Sequence, residues 1–293
     1  MNTEQLQSPD VPEAGLRYYD GPEIVGKVLT SLREAGLDPE ALDVDDLAPL
    51  DEFHALGRAA TVSLAELAGL RGGERVLDVG AGIGGPARLL ASRYDVHVTA
   101  VDATPRFCTT AERLTQGTGL TERVRIVCAD ARALPFPSAH FDLVWTQAVA
   151  QNIADKSGFI AELARVVRPG GRLAMFEVLA GPGGAIEFPV PWGDGPEQSW
   201  LPTPEELHEL LDRGPLSVRT WNQGQDALNA IGRAAQRIGS RPVEHGLGLD
   251  LLMPDHDARM AGLARNVAER RIELVQAIVE RRCQAQYLST SVA

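Results

Sequence analysis

The chain has 293 residues, 44% of them hydrophobic and 23% charged, enough for one large core with an appendage or for two domains. Its formal charge of −12 argues against a nucleic acid partner, because phosphate backbones are bound mainly through lysine and arginine. The isolated thiols Cys108, Cys128 and Cys283 indicate neither a disulfide framework nor a zinc site, and without a signal-like start or a run near the roughly 18 apolar residues of a membrane span the protein is expected in the cytoplasm.

Residues 1–20 read as a polar arm ending in Tyr18, Tyr19 and Asp20. In PEIVGKVLTSLREAGLD the apolar positions Ile24, Val28 and Leu32 recur at helical spacing, and Gly36 marks the stop. DEFHALGRAATVSLAELAGL predicts a second helix, with Phe53, Leu56, Ala60, Leu64 and Leu67 as one apolar stripe.

After residue 70 the period changes. RVLDVG is a short apolar strand running into a glycine turn, and PARLLASRY continues as a helix with Pro86 in its first turn. HVTAVD, VRIVCAD and FDLVWTQ predict the second, third and fourth strands, with a helix over PRFCTTAERLTQGTG between the second and third. SGFIAELARVV predicts a further helix, followed by an RPGG turn and the strand RLAMFEVL. This alternation predicts a doubly wound, mostly parallel sheet.

Residues 181–202, GPGGAIEFPVPWGDGPEQSWLP, break the rhythm with five prolines, five glycines and two tryptophans. Phe188, Trp192 and Trp200 would sit poorly in a solvated linker, so a structured insertion covering something is expected. TPEELHELLDRG then reads as a capped helix and LSVRTWN as a strand, with helix to about Ala268. RIELVQAIVE fits strand or helix, and a closing edge strand is the preferred reading. Two regions are expected: residues 1–69 as arm and helical cap, and 70–293 as a ligand-binding domain with the insertion.

Gly80, Gly82 and Gly85 satisfy G-x-G-x-x-G, a turn that serves either a dinucleotide or another nucleotide ligand. Asp78 helps to choose. A carboxylate two residues before the first glycine would lie beside a dinucleotide's pyrophosphate, but it suits a ligand that is cationic there, such as the ammonium or sulfonium of S-adenosylmethionine. The alternative is that Asp78 only caps local backbone. Asp102, 22 residues after Gly80, can accept from both ribose hydroxyls in either ligand. Asp130 ends the third strand, where it could accept from an adenine amino group while the Ala131 amide donates to the ring. A nicotinamide dehydrogenase stays open as a rival that these acids disfavour.

These residues resemble the class I S-adenosylmethionine-dependent methyltransferases, through VLDVGAGIGG, VTAVDAT, ADARALPFP, FDLVW and RVVRPGGRL in that order over roughly residues 70–180. DEFHALGRAAT, QNIADKSGF and PVPWGDGPEQSWL are similar to segments of bacterial small-molecule methyltransferases related to those acting on tocopherols, sterols and quinones. The resemblance implies a Rossmann-like sheet of seven strands with an N-terminal helical lid. It places Gly80, Ala81, Gly82 and Gly84 at the methionine portion, Asp102 and Ala103 at the ribose, Asp130 and Ala131 at the adenine, and Gln147 near the donor. S-adenosylmethionine would be the cofactor, S-adenosylhomocysteine its product and a small organic molecule the acceptor. No metal is required for in-line displacement at a sulfonium carbon. A homo-oligomer stays open.

For an acceptor that must lose a proton, His54 ranks first as base and Glu177 second, against a packed histidine and a carboxylate that merely satisfies backbone amides. The related sequences often carry a histidine and a methionine around TQAVAQNI, where this chain has Ala148 and Gln151. That departure motivates a rival enzyme, a cyclase or isomerase keeping the cofactor on the same scaffold; a non-catalytic scaffold module is a further rival. Gln151 and Asn152 are candidate substrate contacts, against helix capping, and Tyr18, Tyr19, Trp192 and Trp200 would form an aromatic cover over an apolar or ring-containing acceptor.

Overall fold

The computed structural model describes residues 24–238 and 247–283. Helix α1 (Ile24–Glu34) buries Ile24, Val28 and Leu32 and is followed by Gly36 at φ 79°. A short α2 (Ala48–Asp51) and α3 (Gly57–Ala68) come next. The expected stripe through Phe53 and Leu56 does not form: both precede α3, and Leu56 sits at φ 68° with 48% of its surface exposed. Gly57 lets the chain change direction there, so the helix begins one turn later than its apolar pattern suggests.

Strand β1 (Arg75–Val79), α4 (Gly85–Tyr94), β2 (His97–Asp102), α5 (Pro105–Gly117), β3 (Val124–Cys128) and β4 (Phe141–Gln147) follow as expected. Helix α6 (Lys156–Val166) leads directly into β5 (Val167–Ala180), and then come α7 (Pro204–Leu211), β6 (Leu216–Gln223), α8 (Gln225–Ile238), α9 (His256–Ala268) and β7 (Ile272–Arg281). The RPGG stretch is the first part of β5; Gly170 adopts φ 73°, and the pairing with β4 slips between Phe141 and Leu143.

The seven strands run in the order β3-β2-β1-β4-β5-β7-β6, parallel from β3 to β5, with β7 antiparallel to both neighbours. RIELVQAIVE is therefore a strand, but not the closing edge; β6 holds that place. Its nearly unbroken burial fits a strand covered on both faces and paired on both sides.

Alternate residues of β1 feed two apolar layers. Val76 joins Ala60 and Leu64 of α3, Leu90 of α4 and Ile231 of α8 on one face; Leu77 and Val79 join Phe159 and Leu163 of α6 and Leu207 of α7 on the other. Helix α3 is thus part of the sheet's flank and shares its core, whereas α1 and α2 pack with Ile83, Phe107 and Leu114 in a separate apolar cluster. Among the described residues, no helix is long and apolar enough to cross a membrane.

Candidate functional site

The carboxyl ends of β1, β2, β3 and β4 open onto a cavity of about 1290 Å³, counting its open mouth. This edge is where ligands bind in open α/β sheets. Gly80, at φ 73°, turns the chain out of β1, and a Cβ there would collide with Val149 Cγ2 on the opposite wall. A Cβ on Gly85 would collide with the Asp51 carbonyl, so the first residue of α4, the last glycine of the motif, lets Asp51 pack against the glycine turn. Arg88 of α4 fastens that contact: fully buried, it donates from Nη2 to Asp51 Oδ1 at 2.5 Å and from Nη1 to the Ile83 carbonyl at 2.8 Å. Burial first, opposed by Arg88, leaves the Asp51 carboxyl raised to about 6.

Asp78 lies in the cavity wall with 2% of its surface exposed, and its Oδ2 has no hydrogen-bond partner. The local capping alternative finds no bond among the described residues. Burial, then the Asp102 and Glu52 carboxylates, push its carboxyl from 3.8 up to about 8. Gln147, also in the wall, has an unpaired buried Nε2, while its Oε1 accepts from Trp145 Nε1 at 2.9 Å. Asp102 accepts from the Gly82 and Thr104 amides, both at 2.8 Å. Burial raises its carboxyl and these bonds pull it back. Asp130 reaches the same cavity, but Arg132 grips both its oxygens, Nη2 to Oδ2 at 2.6 Å.

Ala81, Gly82, Ala103, Ala131, His54, Asn152 and Trp200 also line the cavity. Gly84, Gln151, Glu177 and Trp192 do not. Gln151 Nε2 donates to the Ala148 carbonyl at 2.6 Å, a local cap. Glu177, fully buried, accepts from Thr146 Oγ1 at 2.7 Å and from the Val149 and Ala150 amides at 2.9 Å, so it shapes the cavity wall from behind. Burial raises its carboxyl against those bonds. Trp192 is 6% exposed, packs in the core and donates Nε1 to Ser199 Oγ at 2.8 Å, which splits the expected aromatic cover. Tyr18 and Tyr19 lie outside the described residues.

His54 is held just before α3, not on it. Its Nε2 lies 2.8 Å from Glu52 Oε2 and 3.2 Å from Thr61 Oγ1, and its Nδ1 lies 3.2 Å from the Ala55 carbonyl. Burial pushes the Glu52 carboxyl up, but the His54 and Thr61 hydrogen bonds and the charges of His54 and Arg58 outweigh it and hold it below the usual range. Sequence reading missed Glu52, Asp51, Phe53 and Lys156; only the proximity of two acids to His54 in LDEFH offered a hint.

Residues 77–175 match the family described as a methyltransferase domain. The 27-O-demethylrifamycin SV methyltransferase of Amycolatopsis mediterranei (strain S699) is 38% identical over 135 residues, 45% of this chain and 50% of that one. Methyltransferase GfsG of Streptomyces halstedii is 31% identical over 167 residues, 57% and 58% of the two chains. The chain spans about half the length of these curated relatives. The crystal structure of the [4+2]-cyclase SpnF superposes with a TM-score of 0.63 at 22% identity, covering 94% of this chain and 98% of that one, a likeness of fold. The glycine turn and the row of acids, Asp78, Asp102 and Asp130, all fall within the stretch that matches a methyltransferase domain, a kind of domain whose cofactor is S-adenosylmethionine.

Proposed function

We propose that the protein transfers the methyl group of S-adenosylmethionine to a small organic acceptor, a secondary metabolite as in the name of the relative that methylates 27-O-demethylrifamycin SV. The observation that carries this reading is Asp78: a buried carboxyl with an unpartnered oxygen, beside a glycine turn, can ionise against a ligand's cation but gains nothing from a pyrophosphate. S-adenosylmethionine supplies an ammonium and a sulfonium whose methyl carbon is open to in-line attack. Asp78 would hold the cationic amino-acid end, Asp102 the ribose, and Asp130 with the Ala131 amide the adenine. Gly80 lets the backbone approach closely.

The chain's own contribution is mainly to position. Phe53, Val149, Ile153 and Trp200 give the remaining wall an apolar surface suited to an uncharged ring or chain, and Asn152 offers a polar contact. Collinear alignment in a water-poor pocket accounts for much of the acceleration in such a displacement. Where the acceptor must lose a proton, His54 is the best placed group: with Nε2–H donated to Glu52, Nδ1 would carry the lone pair once turned from the Ala55 carbonyl, 3.2 Å away. Glu177 is withdrawn as a base because its bonds are spent on the wall.

A second reading has one observation behind it. Both nitrogens of His54 face acceptors and position 148 is alanine, so a free imidazole is missing, as suits a cyclase or isomerase that keeps the cofactor as a structural element. Incubation with methyl-labelled S-adenosylmethionine and a panel of hydroxyl, amine and activated-carbon acceptors separates the two. Label in an acceptor with matching S-adenosylhomocysteine release supports transfer. Calorimetry in which the protein ignores S-adenosylhomocysteine but binds a nicotinamide dinucleotide would sink both.

A further inference from the structure

Residues 181–187 of the insertion after β5 bond to α9 and to the approach to β7, and three ties hold its further half. The Ala180 amide donates to the Pro202 carbonyl at 2.9 Å. Arg259 of α9 donates to the Val190 carbonyl at 2.9 Å and pairs with Asp194 at 2.5 Å. The third tie lies at the cavity. The Trp200 amide donates to the Gln151 carbonyl at 2.8 Å, while Lys156 Nζ donates to the Trp200 carbonyl at 2.6 Å and to the Ile153 carbonyl. Of these three, this tie joins two stretches of the cavity wall, Trp200 and residues 152–154.

Lys156 is an odd choice for helix stability. It is the first residue of α6, where the helix dipole disfavours a cation, and it is more buried than a lysine ordinarily is. The carboxylates facing it are Glu177 of β5 and Glu206 of α7, and neither forms an ion pair with it. Two unfavourable placements are offset by what the ammonium does locally, which is to satisfy two carbonyls from two chain segments at once.

We propose that Lys156 is a positioning residue that clamps Trp200 against the 150–154 turn and so sets the shape of the acceptor side of the cavity. The inference rests on the reading that this side of the cavity takes the acceptor. The clamp itself is testable without one.

Hydrogen exchange read by mass spectrometry on the full chain provides the test. Lys156→Met fills the space but cannot donate. It is expected to speed exchange about tenfold in peptides covering 198–202 and 150–154, the effect of stranding buried carbonyls, with the 78–84 turn unchanged. Lys156→Arg, which keeps two donors, is expected to restore protection, and S-adenosylhomocysteine affinity by calorimetry should be alike in all three proteins. Wild-type protein gives an independent readout should Lys156→Met not fold. Desolvation lowers the clamped amine from 10.5 to about 8, so opening takes up a proton between those values. Exchange of the same peptides, corrected for intrinsic rate, is then expected to slow by up to about tenfold per pH unit above pH 8. Unchanged protection in Lys156→Met, or faster exchange spread evenly over the chain, overturns the clamp. Failure of wild-type protein to bind S-adenosylhomocysteine would instead strike at the cofactor assignment and leave the clamp standing.

Discussion

Asp78 offers the sharpest test, because its behaviour depends on what sits beside it. In the free protein its carboxyl is raised to about 8 by burial and by Asp102 and Glu52, so at pH 7 roughly nine molecules in ten carry the proton. A ligand ammonium stabilises the carboxylate and expels that proton. Affinity for S-adenosylhomocysteine is therefore expected to rise about tenfold per pH unit, or about 100-fold between pH 5.5 and 7.5, which is about 2.7 kcal/mol. Calorimetry in two buffers of different ionisation enthalpy should record close to one proton released per ligand at pH 7. Asp78→Asn keeps the shape and removes the titration, so its affinity should be low and nearly flat. Asp51, raised to about 6, titrates in the same window but is present in both proteins, so the difference between the profiles isolates Asp78. The sign for stability follows from the same shift. A carboxyl raised in the folded state favours folding while protonated, and that contribution is lost as pH rises from about 4 through about 8. Saturating ligand should suppress this loss. A flat wild-type profile with no proton release, and Asp78→Asn binding as tightly as wild type, would refute the charge argument.

Gly80→Ala is expected to cost about 2–4 kcal/mol in urea unfolding and to weaken S-adenosylhomocysteine binding, because the φ of 73° penalises any Cβ and Val149 stands where it would go. Glu177→Ala strands two amides and a hydroxyl in the interior; a loss of about 3 kcal/mol in the same assay is expected, with a smaller loss for Glu177→Gln. Trp192→Ala should cost about 3–5 kcal/mol as a core cavity, whereas Trp200→Ala should leave stability within about 1 kcal/mol, spare the cofactor and raise the acceptor KM. Equal unfolding losses for the two tryptophans would show that the split between core and cavity is misplaced.

The parallel half of the sheet was legible because each of its strands is bounded by local chemistry. The apolar run of β1 ends in glycines that only a tight turn uses, Pro86 lies in the first turn of α4, Asp102 closes β2 and Asp130 lies two residues past β3. The antiparallel end was harder. Nothing within RIELVQAIVE says that β6, rather than β7, takes the edge, because edge and interior strands differ in what covers them and not in period. The start of α3 failed for a related reason: Leu56 keeps the helical rhythm, but a left-handed backbone at Leu56 and Gly57 breaks the geometry the rhythm presumes.

The site divides along the same line. Residues whose placement is dictated by the strand they end, such as Asp78, Gly80, Asp102, Ala131 and Gln147, reached the cavity as expected from their positions alone. Residues whose role depends on a distant partner did not read correctly. Glu177 reads in sequence as a strand-end carboxylate like Asp102, yet β5 runs on to Ala180 and the amides of Val149 and Ala150 turn the side chain away from the cavity. Trp192 and Trp200 sit eight residues apart in one proline-rich stretch; Ser199 and the core claim the first, and Lys156 with the 150–154 turn brings the second to the wall. Asp51 owes its place to Arg88, 37 residues away, and His54 owes its orientation to Glu52 and Thr61. A strand-end rule assigns a side chain to an edge, but hydrogen-bond competition decides which way it faces. In this fold that competition separates the half of the cavity built from strand ends, where we place the cofactor, from the half built from contacts between segments that no local pattern joins, where we place the acceptor.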